Sequence, residues 1–251
     1  MSGQPPIGER FSRTAAVIGL AGLERLRASR VAVFGIGGVG AACAEALVRG
    51  GVGTVALVDH DTVSPSDLNR QLIATGATMG QQKTEAAKRR YLEIAPDADI
   101  RVFPVFYESA TMDRCKLADY DAAADCVDTL SAKLLLAAQA ADSGCYLVSC
   151  MGTGNRLDPM MLRFADIYQT QVCPLARRMR KACRDQGIPA LRVLYSQEEP
   201  VRAVTLSQHG RHAPGSVSFV PPAAGLMMAG DIIRHLLSRP DDPSLPVPRP
   251  F

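Results

Sequence analysis

A glycine run, G-I-G-G-V-G from Gly35 to Gly40, is followed by carboxylates at Asp59 and Asp61, an Asn-Arg-Gln triplet at Asn69, Arg70 and Gln71, a lysine at Lys83, and a D-C-V-D stretch that ends at Asp128. Each residue type suits one task in handling a nucleotide. Gly35 permits a tight turn after a strand, Gly37 and its neighbour Gly38 let backbone approach a phosphate, and Gly40 lets the following helix pack against the strand. The helix N-terminus then attracts an anion. Asp59 lies 24 residues past Gly35, a suitable distance for a carboxylate on a ribose hydroxyl. A glycine-rich turn without a ligand is the plainer reading of the loop, but strand, helix and acid together outweigh it.

The glycines do not choose the nucleotide, because a nicotinamide dinucleotide uses the same three devices. The next segment does. A dehydrogenase has no need of Arg70 and Lys83 at this end of the site, whereas attack on the α-phosphate of ATP must be neutralised where charge develops. Taken singly, Arg70 reads as a surface ion pair and Lys83 as a solvated helix position. Beside D-C-V-D those readings lose. Asp125 and Asp128 sit at the carboxyl end of a strand, where open α/β sheets bind ligands, and a carboxylate there can hold Mg2+ against phosphate oxygens. Asp128 or Thr129 can also cap the next helix.

These residues need a sheet to carry them. Strands are expected at 31–35, 54–59, 100–103, 122–127, 146–150, 160–167 and 190–196, with helices at 14–26, 38–49, 82–94, 131–141 and 174–184. Such alternation implies a doubly wound, mostly parallel, Rossmann-like α/β sheet with helices on both faces. The stretch 216–237 reads as a strand followed by a helix that starts at a proline pair. One domain over 1–238 is expected, with a nucleotide-binding half at 1–150, a substrate-side half at 151–238 that includes a mobile loop at 196–215, and a disordered proline-rich tail at 239–251.

The chain has 251 residues, 47% of them hydrophobic, 5% aromatic and none Trp, so the core must be aliphatic. A net charge of +3 neither demands nor excludes a nucleic-acid partner. No apolar run reaches membrane-span length, and the N-terminus has no signal core. Seven cysteines, with no C-x-x-C pair, read as a reduced, cytoplasmic protein without structural zinc. His60, His209 and His212 read as surface histidines, and no general base stands out.

The ordered set R-F-S-R (10–13), G-I-G-G-V-G, D-x-D, N-R-Q, Lys83 and D-C-V-D resembles the ubiquitin-activating-enzyme-like adenylating superfamily (ThiF/MoeB/HesA) over residues 9–150. The resemblance implies that Gly37 and Gly40 line an ATP site, Asp59 holds the ribose, Asn69, Arg70 and Lys83 contact the phosphates, and Asp128 is the magnesium ligand. It also implies that Arg13 reaches the nucleotide of the other subunit in a homodimer. The second half, through GTGNRLDP (152–159), residues 165–181 and residues 215–233, is similar to the tRNA threonylcarbamoyladenosine dehydratases. That branch implies ATP-dependent cyclisation of N6-threonylcarbamoyladenosine at position 37 of tRNA, through an acyl-adenylate, to a hydantoin.

The alternative reading is adenylation of a ubiquitin-like sulfur-carrier protein, whose branch usually carries two C-x-x-C pairs that this chain lacks. A non-catalytic scaffolding member is a third reading, which the intact set Arg13, Arg70, Lys83 and Asp128 opposes. A cysteine-desulfurase or sulfur-acceptor system is a further partner the resemblance raises. Cys173 is the nearest thiol for it, although a small residue beside a helix start is the favoured account. In PLARRMRKACR, Arg177, Arg180 or Lys181, and Arg184 share one helix face, with Leu175, Met179 and Ala182 turned to the core. A solvated face is the ordinary meaning of such a run. The tRNA substrate implied by the resemblance puts phosphate binding ahead.

Overall fold

The computed structural model describes residues 9–201 and 214–238. His209, His212, most of the expected mobile loop and the expected tail lie outside them. The chain runs α1 (Ser12–Ala28), β1 (Arg30–Phe34), α2 (Gly38–Gly50), β2 (Thr54–Val58), α3 (Lys83–Ile94), β3 (Asp99–Phe103), β4 (Ala122–Asp125), α4 (Leu130–Ser143), β5 (Tyr146–Cys150), β6 (Leu162–Asp166), α5 (Pro174–Asp185), β7 (Arg192–Ser196) and α6 (Val220–Leu237). The strands form one seven-stranded sheet in the order β3-β2-β1-β4-β5-β7-β6. Every pair is parallel except β6 with β7. The chain winds outward from β1 through β2 to β3, then returns to the other side of β1 as β4. The order therefore reverses between β1 and β4, which opens a crevice at their carboxyl ends.

Two periodicities build the core. Along β1, Val31 and Val33 face one side of the sheet while Ala32 and Phe34 face the other. The first side packs under α1, α2, α3 and α6, and the second under α4 and α5. Because both faces are covered, the strands read as continuous apolar runs. Register aligns the working ends: Phe34 pairs with Val58 of β2 and with Asp125 of β4. Gly35, Asp59 and Cys126 therefore leave the sheet at one level.

The small residues of α2 let α6 lie close against it. A Cβ on Gly225 would come within 2.2 Å of the Val39 carbonyl oxygen, and one on Gly38 within 3.0 Å of Pro221. The helix α6 thus presses on the end of α2 that opens the cleft.

Three expectations are corrected. The first helix is broken at Gly19, whose φ of 74° lies in the left-handed region, so it is two helical pieces rather than one. No strand forms at 215–219, because that segment leaves the sheet and its Ser216 carbonyl accepts a hydrogen bond from Asn69 instead. The strand expected at 160–167 is shortened to 162–166 by 3-10 turns on both sides. Among the described residues, no helix is long and apolar enough to cross a membrane.

Candidate active site

A cleft of about 1110 Å³ lies over the β1/β4 switch point. That exceeds what a drug-sized ligand fills, so a nucleotide leaves room for a second molecule. Gly35, Gly37, Gly38, Asp59, Asp61, Arg70, Gln71, Lys83 and Asp128 all line it.

The turn after β1 is built on glycine for two separate reasons. Gly35 has φ 85°, and a Cβ there would meet the Cys126 backbone at 2.8 Å. A Cβ on Gly40 would lie 1.7 Å from the Gly35 carbonyl oxygen. Gly40 is buried and does not line the cleft, which corrects its placement as a ligand-facing residue: its task is packing. Gly37 is the open position, with nothing nearer to a Cβ than Gln71 Nε2 at 3.9 Å. Gly37 also caps α2 without any side-chain cap, so the first N–H groups of that helix remain for an anion.

Asp59 stands at the end of β2. Its Oδ2 accepts from Ile36 N at 2.6 Å and its Oδ1 from Asp61 N at 2.8 Å. Burial pushes its carboxyl above the ordinary range, opposed by these donors and by Lys83. Each oxygen keeps further lone-pair capacity for a ribose hydroxyl. Lys83 opens α3, and its Nζ lies 2.9 Å from Asp61 Oδ2 and 3.9 Å from Asp67 Oδ2. Arg70 donates from Nη1 to the Ser66 carbonyl at 2.8 Å and to Asn69 Oδ1 at 2.9 Å. Asn69 does not line the cleft; it steers Arg70 and ties that loop to Ser216.

Asp67 is a site residue that sequence reasoning missed. It is buried and gathers Ser64 N, Gln71 Nε2 and, at 3.8 Å, Arg70 Nη2 around one carboxylate. The Ser64-to-Asp67 spacing of a capping box is its signal.

The two D-C-V-D carboxylates part company. Asp125 is fully buried, paired with Lys133 Nζ at 3.1 Å and accepting from the Ser149 hydroxyl, so it is not available to a metal. Lys133 also donates to the Cys150 carbonyl at 2.6 Å, which ties α4 to β4 and β5. A single lysine in the apolar run of α4 is the sequence signal for this pair. Asp128 is exposed in the cleft, and among the described residues the Thr129 hydroxyl alone bonds to it, at 3.3 Å. Its carboxylate is free to take a cation. Thr129 occupies the cap position of α4 without a side-chain cap bond.

Arg13 is exposed on α1 and outside the cleft of its own chain, on a helix that also exposes Val17 and Leu20. Cys173 is buried at the start of α5, with its sulfur 3.7 Å from where a Cβ on Gly152 would sit. The Cys43 thiol and burial push Cys126 well above the ordinary thiol range, and burial does the same to Cys150. These two cleft-lining thiols are poor nucleophiles. All seven cysteines are free. Among the described residues, Asp59, His60 and Asp61 form the one group of three or more potential metal ligands within reach of one another.

On α5 the buried face is Ala176, Met179 and Cys183, not Leu175, Met179 and Ala182. The helix is rotated so that Leu175 lines the cleft instead. Arg180 is withdrawn from the expected basic face, because its Nη1 donates to the Thr170 carbonyl and hydroxyl. Arg177, Arg178, Lys181 and Arg184 are exposed. Lys181 pairs with Asp185 at 2.7 Å, and Arg184 sits over the Tyr168 ring at 5.4 Å.

A family model described as the ThiF family matches residues 11–248. The tRNA threonylcarbamoyladenosine dehydratase of Bacillus subtilis is 37% identical over 240 residues, covering 91% of this chain and 94% of that protein. The crystal structure of the E. coli tRNA N6-threonylcarbamoyladenosine dehydratase in complex with ATP superposes with a TM-score of 0.84 at 26% identity, covering 92% of this chain and 94% of that one. An adenylyltransferase and sulfurtransferase of Candida glabrata is 36% identical over a shorter stretch, 65% of this chain and 38% of that protein.

Proposed function

The chain belongs to the ThiF family, and from that premise we propose that it uses ATP to cyclise N6-threonylcarbamoyladenosine at position 37 of tRNA. The observation that carries this reading is the cleft itself. An open glycine position, a free helix N-terminus, Asp59 and the Lys83–Arg70 pair converge there. The chain as a whole also follows the Bacillus subtilis dehydratase along 94% of that protein's length.

The residues fit ATP. Gly37 leaves space for a phosphate, and Asp59 keeps lone pairs for the ribose. Lys83 and Arg70 face the same cleft. ATP supplies the activated phosphorus. The threonine carboxylate attacks the α-phosphate, pyrophosphate leaves, and an acyl-adenylate forms. The ureido nitrogen of the same side chain then attacks the acyl carbon, loses its proton, and releases AMP as the five-membered ring closes.

The protein's part is positioning and charge stabilisation. Lys83 and Arg70 exchange Asp61, Ser66 and Asn69 for phosphate oxygens as negative charge gathers there. Asp128 would hold magnesium, whose contribution is further neutralisation of phosphate charge. Nucleophile and electrophile share one substrate side chain, so no enzyme thiol enters the chemistry. Arg13 acts on the partner subunit's nucleotide in a homodimer, which accounts for its exposure outside its own cleft. Arg177, Lys181 and Arg184 lie on the helix whose first turn lines the cleft, and they hold tRNA phosphates without reading sequence.

The test is to incubate the purified protein with ATP, Mg2+ and tRNA carrying the modification, then analyse the nucleosides by mass spectrometry. Loss of one water from the modified adenosine, matched by AMP, is expected. AMP release that requires a small protein with a diglycine tail, with the nucleoside unchanged, would transfer the chain to sulfur-carrier activation.

A further inference from the structure

In the loop after β5, Arg156 is 2% exposed, and among the described residues its Nε and Nη1 have no hydrogen-bond partner. It still lines the cleft. An arginine cannot shed its charge by deprotonation. A buried cation without a counter-charge is costly, and proteins ordinarily pair it or remove it. The stretch 202–213, RAVTLSQHGRHA, contains no Asp or Glu, and the tail carboxylates Asp241 and Asp242 lie outside the described residues. The neighbouring Asn155 repeats the pattern, since its buried Oδ1 is also unpartnered and its φ of 56° is left-handed.

The backbone around Arg156 is held on both sides. Asn155 N donates to the Gly215 carbonyl at 2.8 Å, and Val201 N donates to the Asn155 carbonyl at 3.0 Å. The Glu198 carboxylate accepts from Leu157 N and Asp158 N at 3.0 Å. The loop is thus fixed before any ligand arrives, which is how a binding group is kept from collapsing onto its own chain.

Its place in the sheet says which end of the cleft it serves. Asp59 follows β2 and the glycine loop follows β1. Arg156 follows β5, which lies beyond β4 on the other side of β1. The first turn of α5, through Cys173 and Leu175, lines the cleft on this same side.

We infer that Arg156 is a substrate-binding residue whose guanidinium receives an oxyanion of the molecule being activated, not of the nucleotide. This rests on the function proposed above for its naming of the substrate. Two oxyanions of that substrate have the right chemistry for a planar fork of donors: the reacting carboxylate and a phosphodiester of the RNA. The inference accounts for an arrangement that is unfavourable in the free protein. A bound oxyanion would offset that cost by accepting from Nε and Nη1.

Two probes separate the sources. The nucleoside N6-threonylcarbamoyladenosine has the carboxylate and no phosphate; an unmodified anticodon stem-loop RNA has phosphates and no such carboxylate. In the full chain, R156Q is expected to weaken at least one of them by tenfold or more while ATP affinity stays within twofold, and R156K to recover part of the loss. Loss on the nucleoside assigns the carboxylate, and loss on the RNA alone assigns the phosphodiester. Unchanged binding of both, or loss confined to ATP, overturns the inference.

A second readout does not depend on substrate identity. R156M removes the unpaired charge, so the Tm of the ligand-free protein should rise by about 2–4 °C, the scale expected for a chain of this length. A fall in Tm would mean that Arg156 is already compensated and would overturn the inference. If the wild-type chain binds ATP but neither probe, the tRNA reading has failed and not the anion site. Inorganic phosphate titrated against Tm then decides: stabilisation in wild type that R156Q loses supports the site, and equal behaviour of the two overturns it.

Discussion

The two ends of the cleft handle charge in opposite ways. At the nucleotide end, Lys83 already has Asp61 and Asp67, Arg70 has Ser66, Asn69 and Asp67, and Asp59 holds two backbone donors. At the far end, Arg156 is buried and, among the described residues, unpaired at Nε and Nη1. A ligand at the first end must exchange partners with groups that are satisfied, so it gains orientation more than net interaction. A ligand at the second end supplies what is missing. Pre-paired charges keep an apo site stable and aimed, whereas an unpaired one costs stability until it is filled.

The sharpest way to break this comparison is to disturb the pairing under the cleft floor. Lys133→Ala leaves Asp125 buried without its cation and should cost about 3–5 kcal/mol of stability. Urea unfolding measures it, and a loss below about 1 kcal/mol would show that the pair is not what ties α4 to β4 and β5. Next in size is Arg70→Ala, which removes one pre-organised donor. It should lower AMP formation by about 2–4 kcal/mol of transition-state stabilisation. An unchanged rate would move phosphate handling away from Arg70.

On the substrate side, Arg177→Glu with Arg184→Glu should weaken tRNA binding at all sequences and lower the salt slope by about one unit for each phosphate that is no longer neutralised. ATP binding, followed by calorimetry, should survive. Equal tRNA affinity and slope in filter binding would make this face merely solvated.

The smallest expected effect compares the two halves directly, since each has one buried carboxylate in an arginine cluster. Burial pushes Glu45 up, but Arg90 and Arg49 outweigh it and hold the carboxyl below its ordinary value. For Asp231, burial is likewise outweighed, by Arg192 and the Tyr146 hydroxyl. A carboxyl depressed on folding contributes stability above its unfolded value, near pH 4, and loses that contribution as pH falls through its folded value. Tm should therefore drop more steeply below pH 4 in the wild type than in Glu45→Gln or Asp231→Asn. Identical profiles would dismiss both clusters as sources of acid sensitivity.

Legibility in the sequence follows the range of the interactions involved. The alternation of apolar runs with helical spacing locates the strands of the parallel sheet, because strand and helix periodicity are local properties. That Gly35, Gly37, Gly38, Asp59, Arg70, Lys83 and Asp128 share one cleft is legible because type and spacing at a strand end carry chemical meaning. The motif spacing assigns Gly40 to helix packing, whereas the family resemblance implies that it lines the nucleotide; in the fold it packs against Gly35. The spacing shows that a glycine is needed there for packing, and the fold identifies the Gly35 carbonyl as the group it packs against.

What the sequence determined by itself was the order of elements, the glycine turn and the inventory of charges at one sheet edge. Which of those charges are spent on the protein was decided only by tertiary structure. Asp125 and Asp128 look alike three residues apart, yet one is sealed under Lys133 and the other opens on the cleft. Arg177 and Arg180 look alike on one helix, yet Thr170 withdraws the second. Arg156 lies in the GTGNRLDP stretch, but nothing in that stretch marks its charge as buried and unpaired. Pairing and desolvation depend on what the rest of the fold brings within a few ångströms, and residues distant in sequence set that distance.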